Sequence, residues 1–185
     1  MHGPGSASWL LVALCAASGA YCLLRTRSSV AEQRRAAGSE ALMGFGMAVM
    51  AVPAAVLSPP RGAWLVYTAV FAAAGLRTAW TARRDPHHLH HLLGAGAMVY
   101  MSAAMTTAPG GAHGGGHGGG GVPALTGVLL LYFTAHVLAS GARLAPVGAA
   151  AAPEAGVVRW ADRPELALVC RLAMSMGMLA MLLTL

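Results

Sequence analysis

Charge is scarce in this chain. Of its 185 residues, 10% are Asp, Glu, Lys or Arg and 57% are hydrophobic, whereas an ordinary soluble domain is about a quarter charged. That shortage excludes a soluble globular domain and places the chain in a bilayer. Aromatic residues are few, at 6%, and no basic stripe is interleaved with them. The net charge of +6 is therefore not a nucleic-acid footprint, and no nucleic-acid partner is expected. There is no P-loop, nucleotide fingerprint or nucleophile-base-acid constellation, so neither an ATP-driven pump nor a hydrolase is indicated and no enzyme is expected. Cys15, Cys22 and Cys170 all fall in apolar runs. They imply no disulfide framework and read as small apolar packing residues, with soft-metal binding by Cys15 and Cys22 as the alternative.

What the chain has is long apolar runs. Six are long enough to cross about 30 Å of hydrocarbon: 8–24, 40–57, 63–80, 89–106, 122–140 and 165–185. They predict six transmembrane helices in one membrane domain covering 1–185, an all-α polytopic bundle surrounded by lipid. The first run reads as a helix rather than a cleaved signal peptide, because "MHGPGSAS" offers no basic n-region. Arg25, Arg27, Arg34 and Arg35 lie between runs one and two, Arg77, Arg83 and Arg84 around the exit of run three, and Arg143, Arg159 and Arg163 between runs five and six. Those segments are expected on the cytoplasmic side, with both termini outside. The glycine-rich stretch 108–121, with His113 and His117, reads as a flexible outer loop, and 144–162 as a cytoplasmic linker.

Methionine is distributed in one pattern. Runs two, four and six carry the gap-free eleven-residue stretches "EALMGFGMAVM" (40–50), "HLLGAGAMVYM" (91–101) and "RLAMSMGMLAM" (171–181). Their aligned positions are Glu40, Met43, Met47, Met50; His91, Gly94, Met98, Met101; and Arg171, Met174, Met178, Met181, with Met105 and Met176 as extra members. Offsets of 0, 3, 7 and 10 lie within about 80° on an α-helix, so each stretch presents a stripe about 15 Å long. Apart from Met1, every methionine lies in runs two, four and six, and runs one, three and five contain none. This predicts three helix pairs, one-two, three-four and five-six, whose second members line a central seam.

Three readings of the stripes stand side by side. Thioethers are soft ligands that select Cu(I); methionine is a flexible gap-filler among small residues; and methionine surfaces adapt to varied apolar ligands. The metal candidates are Met43, Met47, Met50, Met98, Met101, Met174, Met178 and Met181, with His91 and His136 at the cytoplasmic mouth. Glu40, Arg77 and Arg171 form a candidate charge layer, in which Glu40 pairs with Arg171 or Arg77, because intramembrane ionisable residues usually face the protein interior. In "HHLHH" (87–91) two imidazoles can share a face and could load or release a metal; His91 alone coincides with the repeat.

The pattern resembles that of the actinobacterial multi-pass membrane proteins grouped as DUF5134, which repeat methionine in an "HxxMxxxMxxM"-like spacing on more than one helix. The resemblance covers nearly the whole chain and lies in the spacing. His91, Met98 and Met101 meet it with Gly94 in place of the first methionine; Met43, Met47 and Met50 meet it with Glu40 in place of the histidine. It implies a multi-pass protein of the bacterial plasma membrane and assigns no activity. The working expectation is a membrane protein that binds Cu(I) in the seam for transport, storage or sensing. The alternatives are a non-catalytic assembly subunit, packed on a membrane partner or in a homo-oligomer, and a haem b electron carrier with His91 and His136 as axial ligands. The arginine placement predicts that a reporter active only in the cytoplasm is silent when fused after Leu185 and active when inserted within 144–162; activity at both positions would overturn the orientation.

Overall fold

The computed structural model describes residues 4–53, 56–57, 59–82, 89–107, 121–150 and 163–184. These form six helices: α1 (Pro4–Arg25), α2 (Ala31–Met50), α3 (Arg61–Ala82), α4 (Leu89–Thr107), α5 (Pro123–Ala150) and α6 (Pro164–Leu183). No strand occurs among the described residues, and the fold is an all-α bundle. Three segments are long and apolar enough to cross a membrane: Ser6–Arg25, Pro123–Arg143 and Glu165–Leu183. The loop histidines His87, His88, His113 and His117 lie outside the described residues.

Two helices differ from the sequence expectation, for local reasons. A span at 40–57 was expected, but α2 starts at Ala31 and stops at Met50, so its apolar part is only Ala36–Met50. Pro53 ends it, since proline cannot donate a backbone hydrogen bond and drives the preceding residue away from helical geometry. The start is set by a tight turn after α1, in which Ser28 Oγ accepts from Val30 N at 3.1 Å and Arg34 donates to the Ser28 carbonyl at 3.0 Å. Helix α5 continues to Ala150, seven residues into the expected 144–162 linker and through Pro146. Pro164 at the first turn of α6 and Glu165 beside it suit a helix N-terminus.

Each helix packs on its chain neighbour, giving the pairs α1–α2, α3–α4 and α5–α6, and α2, α4 and α6 touch one another at the centre. The outer helices repeat a cyclic arrangement. Helix α1 reaches across to α6, where Cys15 Sγ and Leu11 Cδ1 stand 3.2 and 3.7 Å from where a Gly177 Cβ would be. Helix α3 reaches across to α2 in the same way, with Tyr67 and Phe71 over Gly46. Helix α5 reaches across to α4, where Tyr100 bonds Thr126 at 2.8 Å and His90 meets Tyr132, Phe133 and His136. Three hairpins thus surround the central contact of α2, α4 and α6, with α1 packed on α6 more extensively than α3 on α2 or α5 on α4.

Close approach depends on small residues. A Cβ on Gly44 would lie 2.8 Å from the backbone N and Cα of Gly19, which cannot move aside as a side chain can. By contrast, Gly96, on the outer face of α4, meets nothing within 4 Å. Gly44→Ala should therefore destabilise the bundle by about 1–3 kcal/mol, while Gly96→Ala stays within about 0.5 kcal/mol of the parent, measured by reversible unfolding in detergent. Equal effects would mean that the α1–α2 crossing is looser than described.

Candidate functional site

The three aligned stretches adopt one burial pattern. At offsets 3, 4, 6, 7 and 10 every residue is buried, and at offset 5 Phe45, Gly96 and Met176 are exposed. Met176, counted above as an extra stripe member, points outward at 51% exposure, and Met105 is half-buried. The central axis is therefore layered. Glu40, His91 and Arg171 form the first layer. Met43, Gly94 and Met174 form the second, Met47, Met98 and Met178 the third, and Met50, Met101 and Met181 the fourth. All eight methionines belong to one core cluster, and those of the third layer are at most 1% exposed. Gly94 interrupts the pattern for a steric reason: Met43 Sδ lies 2.9 Å from the position a Gly94 Cβ would take, so the α2 thioether occupies the space an α4 side chain would fill.

The first layer is an ion-pair cluster. Glu40 is fully buried. Arg171 Nε donates to its Oε1 at 2.7 Å, His91 Nε2 stands 3.8 Å from the same oxygen, Arg25 Nη1 donates to Oε2, and the Cys22 thiol donates to Oε2 at 3.6 Å. The structure thus brings together Glu40, Arg171 and His91 from the sequence expectation and adds Arg25. Arg25 had been read only as an orientation signal, although the short turn between α1 and α2 sets it opposite Glu40. Arg77 does not join this layer: it is exposed on α3, and among the described residues Glu40 forms ion pairs with Arg25, Arg171 and His91. Two guanidinium groups facing one carboxylate leave one positive charge in excess. Arg25 is fully buried, yet its Nε and Nη2 find no hydrogen-bond partner among the described residues.

His136 is not in this layer either. Its ring stacks on His90, with centroids 4.0 Å apart and planes 12° from parallel. His90 Nδ1 lies 3.2 Å from the Tyr132 hydroxyl, and His90 meets His91 edge-on at 5.9 Å. Imidazoles therefore run inward from α5 through His90 to His91 and Glu40. His90 was missed because it falls one residue before the repeat, on the face that meets α5. A narrow cleft of about 10 Å³ opens beside these groups between α4, α5 and α6, with Met43 of α2 at its wall, the room needed by one water.

The donors define the chemistry. Among the described residues, no three His, Cys, Asp or Glu side chains are placed to share a metal ion. The methionine side chains of the three stripes are buried in one cluster, and thioether sulfur suits a soft cation. Met47 Sδ also lies 3.7 Å from the Gly177 Cβ position that Cys15 Sγ approaches.

The energetics of the charge layer can be measured. Glu40→Gln leaves the buried Arg25 guanidinium, and the partly exposed one of Arg171, without a counter-charge and should cost about 3–5 kcal/mol, while adding Arg25→Met and Arg171→Met should recover most of that loss. Additive losses in this cycle would mean that the three side chains do not interact. No curated protein and no solved structure matches this chain significantly. The profile of the family described as Domain of unknown function (DUF5134) matches residues 32–185, a span that contains Glu40, His91, Arg171 and all three methionine stripes, and the chain belongs to that family.

Proposed function

We propose that this chain is a multi-pass protein of the bacterial plasma membrane that binds Cu(I) in the methionine seam between α2, α4 and α6. In this reading all six helices cross the bilayer, with both termini outside. One observation carries it. Three thioethers at the same repeat position, Met47, Met98 and Met178, are buried together at the centre of the bundle, with a second set, Met50, Met101 and Met181, one helical turn farther on. The donor set fits a soft monovalent cation, because thioethers coordinate Cu(I) and compete poorly for hard ions. The third and fourth layers stand about 10 and 15 Å along the axis from the Glu40 layer, at a distance from its excess positive charge. Met47, Met98 and Met178 would hold the ion; His91 and His136 stand at the inner end, and Glu40 offsets the arginines there.

A specific observation favours a second reading, a non-catalytic assembly subunit in which methionine only packs. Met43 fills the space at Gly94, Met98 Cε stands 3.0 Å from the Gly46 Cβ position, and Met47 lies against Gly177, so flexible side chains fit the hollows that glycine leaves. Leucine replacement separates the two. Each Met→Leu swap in a core costs under about 1.5 kcal/mol, whereas a thioether ligand has no hydrocarbon substitute. Replacing Met47, Met98 and Met178 together by leucine should leave the protein inserted and folded but unable to retain Cu(I), measured by elemental mass spectrometry after anaerobic purification. Copper retained equally by the triple variant, or none retained by the parent, leaves the methionines as packing and removes the copper function.

A further inference from the structure

We infer that the cleft between α4, α5 and α6 holds the phosphate of an anionic phospholipid at the membrane surface nearer Glu40. Its polar end is formed by Arg171, His90 and His91, and its wall by Met43, Met174 and Phe133. Arg171 donates to Glu40 through Nε, and its side chain, which lines the cleft, is 39% exposed. Glu40 cannot neutralise both arginines, so the cluster carries one positive charge more than its carboxylate balances. The cleft has room for about one oxygen atom, so the phosphate stands at its mouth with a single oxygen reaching inward. Apolar walls suit the lipid glycerol and upper acyl chain, and basic pockets between membrane helices at this depth take anionic headgroups.

This inference rests on the membrane-spanning reading and not on copper. The test uses the full chain in nanodiscs of zwitterionic phosphatidylcholine doped with phosphatidylglycerol, with co-purifying lipid counted by native mass spectrometry. A chain that purifies without detergent removes the membrane reading itself, before any lipid is counted. The parent is expected to retain one phosphatidylglycerol in preference to phosphatidylcholine, by about fivefold or more for one arginine near the surface. Arg171→Gln should abolish the preference, and Arg171→Lys, which keeps the charge beside Glu40, should restore part of it. Should Arg171→Gln fail to fold, His90→Gln provides a second arm: it spares every Glu40 ion pair and should weaken retention while the protein stays folded. Equal retention of the two lipids by the parent, or an unchanged preference in folded Arg171→Gln, overturns the inference. Inorganic phosphate that displaces the lipid at millimolar concentration would overturn the lipid as occupant in favour of a soluble anion.

Discussion

The carboxylate of Glu40 is the constraint on which the rest of the bundle depends. A charge enclosed by apolar helices is tolerated only when it is paired and hydrogen-bonded, and here the partners come from three other helices. Arg25 ends α1, Arg171 lies in α6 and His91 in α4. Satisfying one buried anion therefore sets the relative depth of four helices. Because the methionine stripes start at Glu40, His91 and Arg171, the alignment of that layer carries up the axis and brings Met47, Met98 and Met178 level with one another.

Small residues let the helices approach closely enough for this alignment to hold. In α2, α4 and α6 the positions four and six residues after the ionisable one are Gly44 and Gly46, Ala95 and Ala97, and Ser175 and Gly177, all buried. The outer helices have their own counterpart: Ala17-Ser18-Gly19, Ala73-Ala74-Gly75 and Ala139-Ser140-Gly141. Gly19 packs on the backbone of Phe45, and Gly75 packs on Ala95. Contact of this kind and interhelical hydrogen bonds hold the helices together. The bond between Thr68 and Ser102, at 2.8 Å across α3 and α4, is one of the latter. This is why the packing and ligand readings of methionine share one geometry. A thioether that fits a glycine hollow is already held near its counterparts on the other two helices.

Much of this was legible in the one-dimensional pattern, and the exceptions share a cause. Six apolar runs, three pairs and the Glu40–Arg171 partnership follow from periodicity and from the cost of an isolated charge in an apolar interior. Arg25 escaped because an arginine at a helix end is also what membrane topology demands, and the two roles look alike in sequence. His90 escaped because its partners, Tyr132 and His136, are more than forty positions away. Arg77 was expected at the carboxylate because its depth is right; the rotation of α3, which turns it outward, is not written in α3 alone.

The sequence by itself determined which residues share a face, because the 3.6-residue period is local and each stripe follows from spacing within a single helix. Only the tertiary structure decided how those faces meet: that Met43 fills the space at Gly94, that His136 stacks on His90 rather than joining Glu40, and that two arginines share one carboxylate. Those outcomes depend on the mutual depth and rotation of the helices, which are set by packing among segments far apart in the chain.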